Sequence, residues 1–201
     1  VIGRCLWDDD LPARPSAALP RQVDVAIVGA GYTGLSAALT LARHGASVAV
    51  LERHRAGWGA SGRNGGFVLP GYKPDADELV RRYGVDRTRA LFAASLEAID
   101  ALESLVAREI PDCGYARRGW IALAARPSHL ADLERTAGVL RRHFGHETVL
   151  LAPADLRDEI GSDRYHGGLL DPLGGALHPG RYCAGLAAAA VRAGAVLLEG
   201  V

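Results

Sequence analysis

The 201-residue chain contains no methionine. Opening on Val1, it reads as the product of an alternative start codon or as a clipped fragment. Cysteine is scarce: Cys5, Cys113 and Cys183 are widely spaced, and no CxxC pair occurs. That spacing excludes a disulfide framework and a zinc ribbon, and it fits a reducing cytosol. Net charge is lacking too, since 23 basic and 23 acidic residues cancel without a like-charge block. No field is present that would recruit nucleic acid or anionic lipid. No apolar run approaches the ~18 residues that span a bilayer, and the N-terminus, with Arg4 and Asp8 to Asp10, lacks a signal-peptide layout. The sequence is therefore expected to be cytoplasmic, with no membrane and no nucleic-acid partner. What it has is 49% apolar residues, a mean hydropathy of +0.06, and 25 glycines that cluster instead of recurring every third position. Disordered and collagen-like classes are excluded.

Pro12, Pro15 and Pro20 make residues 1–20 an irregular lead-in. Val23 to Val28 is a β-branched run with little charge, the pattern of a parallel strand buried on both faces. Glycines follow, and then Leu35, Ala38, Leu39 and Ala42 place a helix over 33–44, with Gly45 where a C-cap wants positive φ. Ser47 to Leu51 is a second strand. Together these segments form a right-handed βαβ unit. Gly57 to Gly71, with six glycines, predicts a functional loop. Beyond it the pattern predicts helices over 75–83, 86–109, 128–144, 153–160 and 179–193. Strands are expected over 119–125, 148–151, 166–171 and 195–199.

Gly29-Ala30-Gly31-Tyr32-Thr33-Gly34 is a GxGxxG sequence directly after a strand and directly before a helix. Gly29 permits the tight turn, Gly31 lets backbone approach a pyrophosphate, and Gly34 brings the helix against the sheet. Free N–H groups at the helix N-terminus supply positive potential for the phosphates. Glu52 closes the second strand, where its carboxylate can accept ribose hydroxyls and repel a 2′-phosphate. FAD or NAD is favoured over NADP, and the spacing does not separate the first two.

A further signal comes from the segment Gly57-Trp58-Gly59-Ala60-Ser61-Gly62-Arg63-Asn64-Gly65-Gly66. With the first motif it resembles the FAD-dependent amine and amino-acid oxidoreductases of the D-amino-acid oxidase superfamily, and most nearly its gamma-glutamylputrescine oxidoreductase-like branch. Trp7-Asp8-Asp9-Asp10, Leu19-Pro20 to Glu52, Gly174-Gly175 to His178-Pro179 and Gly185-Leu186 extend the resemblance along the chain. The resemblance implies FAD as cofactor. It carries over Ser61, Gly62, Arg63, Asn64, Gly65 and Gly66 as flavin contacts, beside Gly29, Ala30, Gly31, Tyr32, Thr33, Gly34, Glu52 and Arg53 as nucleotide contacts. Backbone N–H groups and Arg63 would then stabilise charge on a flavin that takes a hydride.

By the same resemblance the substrate is a small amine or amino acid, oxidised at its C–N bond to an imine that hydrolyses. The electron acceptor is oxygen or another molecule. No acid–base residue is assigned. His143, His146 and Glu147 straddle Gly145 without a third strong ligand, so no metal is expected. Cys113 and Cys183 lack a histidine neighbour and read as inert. His178 is either a helix-entry residue bonded to backbone or a group facing substrate. The long helix with Arg87, Arg89 and Arg108 is a solvated face over a core stripe.

The expected fold is α/β, a three-layer Rossmann-like FAD/NAD(P)-binding domain with a parallel sheet from 23–28, 47–51 and 195–199. Part of an α+β substrate domain interrupts it, and the chain is truncated at its C-terminus. Residues 1–84 would begin the FAD-binding domain, 85–165 belong to the substrate domain, and 166–201 return to the first. Missing strands predict uncovered apolar edges and self-association through them. The alternatives are a truncated, catalytically inactive nucleotide-binding fragment and, third, an NAD-linked dehydrogenase.

Overall fold

The computed structural model describes residues 5–8 and 18–201, so Asp9, Asp10, Pro12 and Pro15 of the expected lead-in lie outside it. The elements run β1 (Val25–Val28), α1 (Tyr32–Arg43), β2 (Val48–Glu52), β3 (Phe67–Val68), α2 (Ala76–Tyr83), α3 (Val85–Glu109) and β4 (Trp120–Leu123). They continue as α4 (Pro127–Phe144), β5 (Val149–Leu151), α5 (Pro153–Ile160), β6 (Gly168–Asp171), β7 (Gly175–Ala176), α6 (Pro179–Arg192) and β8 (Val196–Glu199). Each expected helix and strand ends within two residues of its observed counterpart, the usual uncertainty of a fraying terminus.

The chain divides into two compact units. One comprises Val1–Phe67, Glu103–Tyr115 and Leu177–Val201, and the other Val68–Leu102 and Ala116–Ala176. Helix α3 has no glycine or proline to mark where it changes unit, so local sequence carries no boundary signal there.

The first unit is built on a parallel sheet in the order β1-β2-β8, with Val25 opposite Val48 and Ala49 opposite Val196. Helix α1 turns Leu35, Ala38, Leu39 and Ala42 inward, and α6 buries Cys183, Leu186, Ala187, Ala189 and Ala190. The small alanines let the two helices pack on each other. A fully buried leucine such as Leu35 or Leu186 contributes about 1.5–3 kcal/mol by leaving water. Strand β1 corrects one expectation. Ala26 and Val28 are exposed, Val28 by 88%, so this strand is not buried on both faces. It forms the edge of the described sheet, and one of its faces is left open.

Glu109, at the end of α3, joins the two helices by accepting from Arg43 of α1 and from Arg192 of α6, the latter at 2.7 Å. The Arg192 hydrogen bond, with the charges of Arg43 and Arg192, holds the Glu109 carboxyl below its usual range. A depressed carboxylate stabilises the fold above the unfolded-state pKa, and that stabilisation is lost as pH falls through the folded pKa. Replacing Glu109→Gln is therefore expected to lower the melting temperature at neutral pH and to flatten the acid limb of a melting-temperature profile. An acid limb equal to that of the parent chain would refute this linkage.

The second unit holds an antiparallel sheet in the order β4-β6-β5, in which β6 is central. Helix α4 packs on β5, β6 and α2. It starts at Pro127, whose missing N–H costs nothing in a first turn, and ends at Gly145 in the left-handed region. Asp75 caps α2 by accepting from Glu78 N–H at 2.7 Å, and Asp155 reaches back from α5 to Ala152 N–H at 3.1 Å.

Candidate functional site

The turn after β1 is tied to the end of β2. Gly29 N–H donates to Leu51 O at 2.8 Å, and Ala30 N–H donates to Glu52 Oε2 at 2.8 Å. The second carboxylate oxygen accepts from His54 N–H at 2.9 Å, so both oxygens are oriented by backbone. Gly31 caps α1, and the Tyr32 N–H that follows donates to Ser61 Oγ at 3.1 Å. Thr33 and Gly34 lie in the first helical turn, whose N–H groups have no intrahelical acceptor. No acidic residue occupies that turn, which leaves its positive potential uncompensated.

Beside this turn opens a cleft of about 490 Å³, lined by residues 28–31, 51–54 and 57–61. Of the residues expected to meet a nucleotide or flavin, Gly29, Ala30, Gly31, Glu52, Arg53 and Ser61 line it. Tyr32, Thr33, Gly34 and Gly62 to Gly66 do not. Tyr32 packs edge-on against Tyr182, with ring centroids 5.2 Å apart. Burial raises the Tyr32 phenol and pushes that of Tyr182 up to about 12, so both remain protonated at neutral pH.

The glycine-rich loop is organised by Asn64. Its Nδ2 donates to Ala60 O and Ser61 O at 3.1 and 3.0 Å, while its Oδ1 accepts from Gly66 N–H at 2.8 Å. Trp7 Nε1–H donates to Asn64 O, and Leu177 N–H donates to Gly66 O. Arg63 stacks its guanidinium on Trp58, 4.6 Å from the ring centroid, and its Nε–H donates to Trp58 O. Trp58 also stacks with His54 at 3.9 Å. His54 and Trp58 line the cleft and are not among the residues that the sequence assigns to it, although an aromatic side chain inside a run of glycines is a signal for Trp58. Glu199 Oε1 accepts from Ala56 N–H at 2.6 Å, a contact across 143 positions that no local pattern announces.

The weaker candidates resolve into structural roles. His178 is the N-cap of α6: its Nδ1 accepts from Arg181 N–H at 3.1 Å and its own N–H donates to Cys113 O. His146 is buried, with Nε2 2.8 Å from Asp171 Oδ2 and its ring edge-on to Phe92. No group of three or more metal-ligating side chains occurs among the described residues. Cys113 and Cys183 are buried, and burial pushes the Cys113 thiol up, away from the thiolate. No described helix is long and apolar enough to cross a membrane.

The sequence family described as FAD dependent oxidoreductase, DAO, matches residues 24–201. A probable oxidoreductase OrdL of Haemophilus influenzae is 39% identical over 177 residues, covering 88% of this chain and 41% of that protein. The gamma-glutamylputrescine oxidoreductase of Escherichia coli is 42% identical over 156 residues, covering 78% and 36%. Among solved structures, glycine oxidase from Geobacillus kaustophilus superposes with a TM-score of 0.68 at 27% identity, over 88% of this chain and 46% of that one. The chain thus spans less than half the length of these relatives.

Proposed function

The chain belongs to the FAD dependent oxidoreductase family, DAO, and from that premise we propose that its 28–31, 51–54 and 57–61 segments hold the ADP half of FAD. The observation that carries this reading is the cleft itself, where the N-terminus of α1, free of acidic residues, faces the oriented carboxylate of Glu52. The donor set suits the group: helix N–H groups take the pyrophosphate, and Glu52 takes ribose hydroxyls while repelling a 2′-phosphate. A side chain at Gly29 would meet nothing within 4 Å, so there is open space above the turn for a ligand.

Tyr32, Thr33 and Gly34 serve the site through the first turn of α1, and Arg53 through the cleft wall. Ser61 to Gly66 present the loop to the flavin, with Asn64 fixing its shape and Trp58 fixing the Arg63 guanidinium. FAD, when bound, supplies a hydride acceptor for the carbon next to a substrate nitrogen. The first compact unit is then the flavin-holding part, and the second a portion of the substrate domain. The whole enzyme oxidises a small amine or amino acid to an imine, which hydrolyses, with oxygen or another molecule as final acceptor. Three free thiols support a reducing, cytoplasmic setting. The open edge of β1 supports self-association.

The test is the visible spectrum of the purified chain after incubation with FAD and removal of free cofactor. A retained flavin band is expected. Glu52→Ala removes a charge-assisted acceptor worth about 1.5–3 kcal/mol, which lowers FAD affinity roughly ten- to a hundredfold. Gly31→Val places a Cβ 2.9 Å from Ser61 Oγ and closes the cleft wall, so retention should be lost. A folded chain that retains no flavin, or that retains NAD instead, overturns the reading.

A further inference from the structure

The second compact unit holds a partly open cavity of about 210 Å³ that the flavin reading does not use. Trp120 pairs with Asp171 and Ala122 with Leu169 across β4 and β6, so these four residues share one face of the sheet. Helices α2, α3 and α4 cover the cavity from the other side, through Leu79, Phe92, Leu140 and Phe144. The volume exceeds the ~150 Å³ in which a dry apolar cavity takes up benzene.

The lining combines aromatic rings with negative charge. Tyr72, Phe92, Trp120 and Phe144 contribute four rings, of which Phe92 and Phe144 stack at 4.9 Å. Asp171 contributes a carboxylate, Asp75 lines the cavity with its own carboxylate committed to the cap of α2, and no cationic side chain lines it. Asp171 is held by His146 Nε2 at Oδ2 and by Leu173 N–H, 3.0 Å away, at Oδ1. Each carboxylate oxygen keeps a further acceptor direction. An apolar cavity with aromatic faces and the Asp171 carboxylate favours a cation over a neutral or anionic molecule of the same shape. We propose that this cavity binds a small organic ammonium ion, a protonated amine on a single ring or a short branched body. The site lies wholly within the second unit and does not depend on FAD.

The experiment uses the FAD-free 201-residue chain at pH 7.5, with benzylammonium, benzyl alcohol and benzoate titrated as isosteric probes. Methyl NMR shifts of Ala122, Thr136 and Leu169 report occupancy. Benzylammonium is expected to bind with a Kd of about 0.1–1 mM, roughly tenfold tighter than benzyl alcohol, and benzoate weakest. Thr136→Phe, which fills the cavity from α4, should abolish these shifts. Asp171→Asn should bring the ammonium and the alcohol to equal affinity. Equal affinities in the parent chain, or no shifts at about 10 mM probe, would overturn the proposal. So would ammonium binding unchanged by Thr136→Phe. Because no flavin is present, none of these outcomes depends on the flavin-retention test.

Discussion

Gly34→Ala is expected to destabilise the chain by about 3 kcal/mol, although alanine is the better helix former. In a helix interior the exchange would favour alanine by about 1 kcal/mol. Here the added Cβ would stand 2.1 Å from Gly29 O and 3.2 Å from Ile27 Cγ2. Relieving that overlap means moving α1 off β1 or distorting the turn that Gly29 N–H and Ala30 N–H hold against β2. Overpacking of this kind costs about 1–3 kcal/mol even where the neighbour is a side chain, and a backbone carbonyl yields less. The steric term therefore exceeds the propensity term. For a chain of this size, 3 kcal/mol corresponds to a fall of roughly 6–12 °C in melting temperature. Ser36→Ala, at an exposed position of the same helix, isolates propensity and should be neutral or slightly stabilising. A Gly34→Ala chain as stable as its parent would contradict the close approach of helix and turn.

Gly66→Ala should produce a comparable loss by two additive routes. The residue adopts φ +73°, a conformation that costs an alanine about 1–2 kcal/mol, and its Cβ would lie 2.1 Å from Leu177 O. Opening that contact breaks the Leu177 N–H bond to Gly66 O and strains the Asn64 bond to Gly66 N–H. Urea unfolding should show a loss of about 3 kcal/mol or more. Since the loop from 57 to 66 includes part of the cleft wall, flavin retention should fall as well. Stability that drops while retention stays intact would place the Gly66 end of the loop outside the cofactor's reach.

Much of this architecture was legible in the sequence, and the reason is local. The βαβ unit announces itself because strand, glycine turn, helix and strand follow one another within about 30 residues, each with its own period and stop signal. Glu52 was likewise readable, since the end of β2 fixes where a carboxylate must stand. Long-range partners were not readable. The exposure of Ala26 and Val28 depends on what covers that face of β1, not on their own character. The Glu199 support of Ala56 and the pairing of His146 with Asp171 join distant segments, so they leave no periodic trace. His178 was undecided in sequence because a residue before a helix can cap it or face outward, and only its bond from Arg181 N–H settles which. Trp58 carries no role of its own in the sequence because glycine dominates the segment that contains it.

The position of β8 also bears on how the chain reaches its fold. Residue Ala49 pairs with Val196 across most of the sequence, whereas β1, α1 and β2 are neighbours. Local contacts form before the entropy of closing so long a loop is repaid, and parallel pairing at that separation is intrinsically slow. The βαβ segment should therefore acquire hydrogen-exchange protection early in refolding, with β8 joining last. Until it joins, both edges of the β1–β2 pair stay open. The interval before β8 docks is when the nascent chain is most prone to aggregate.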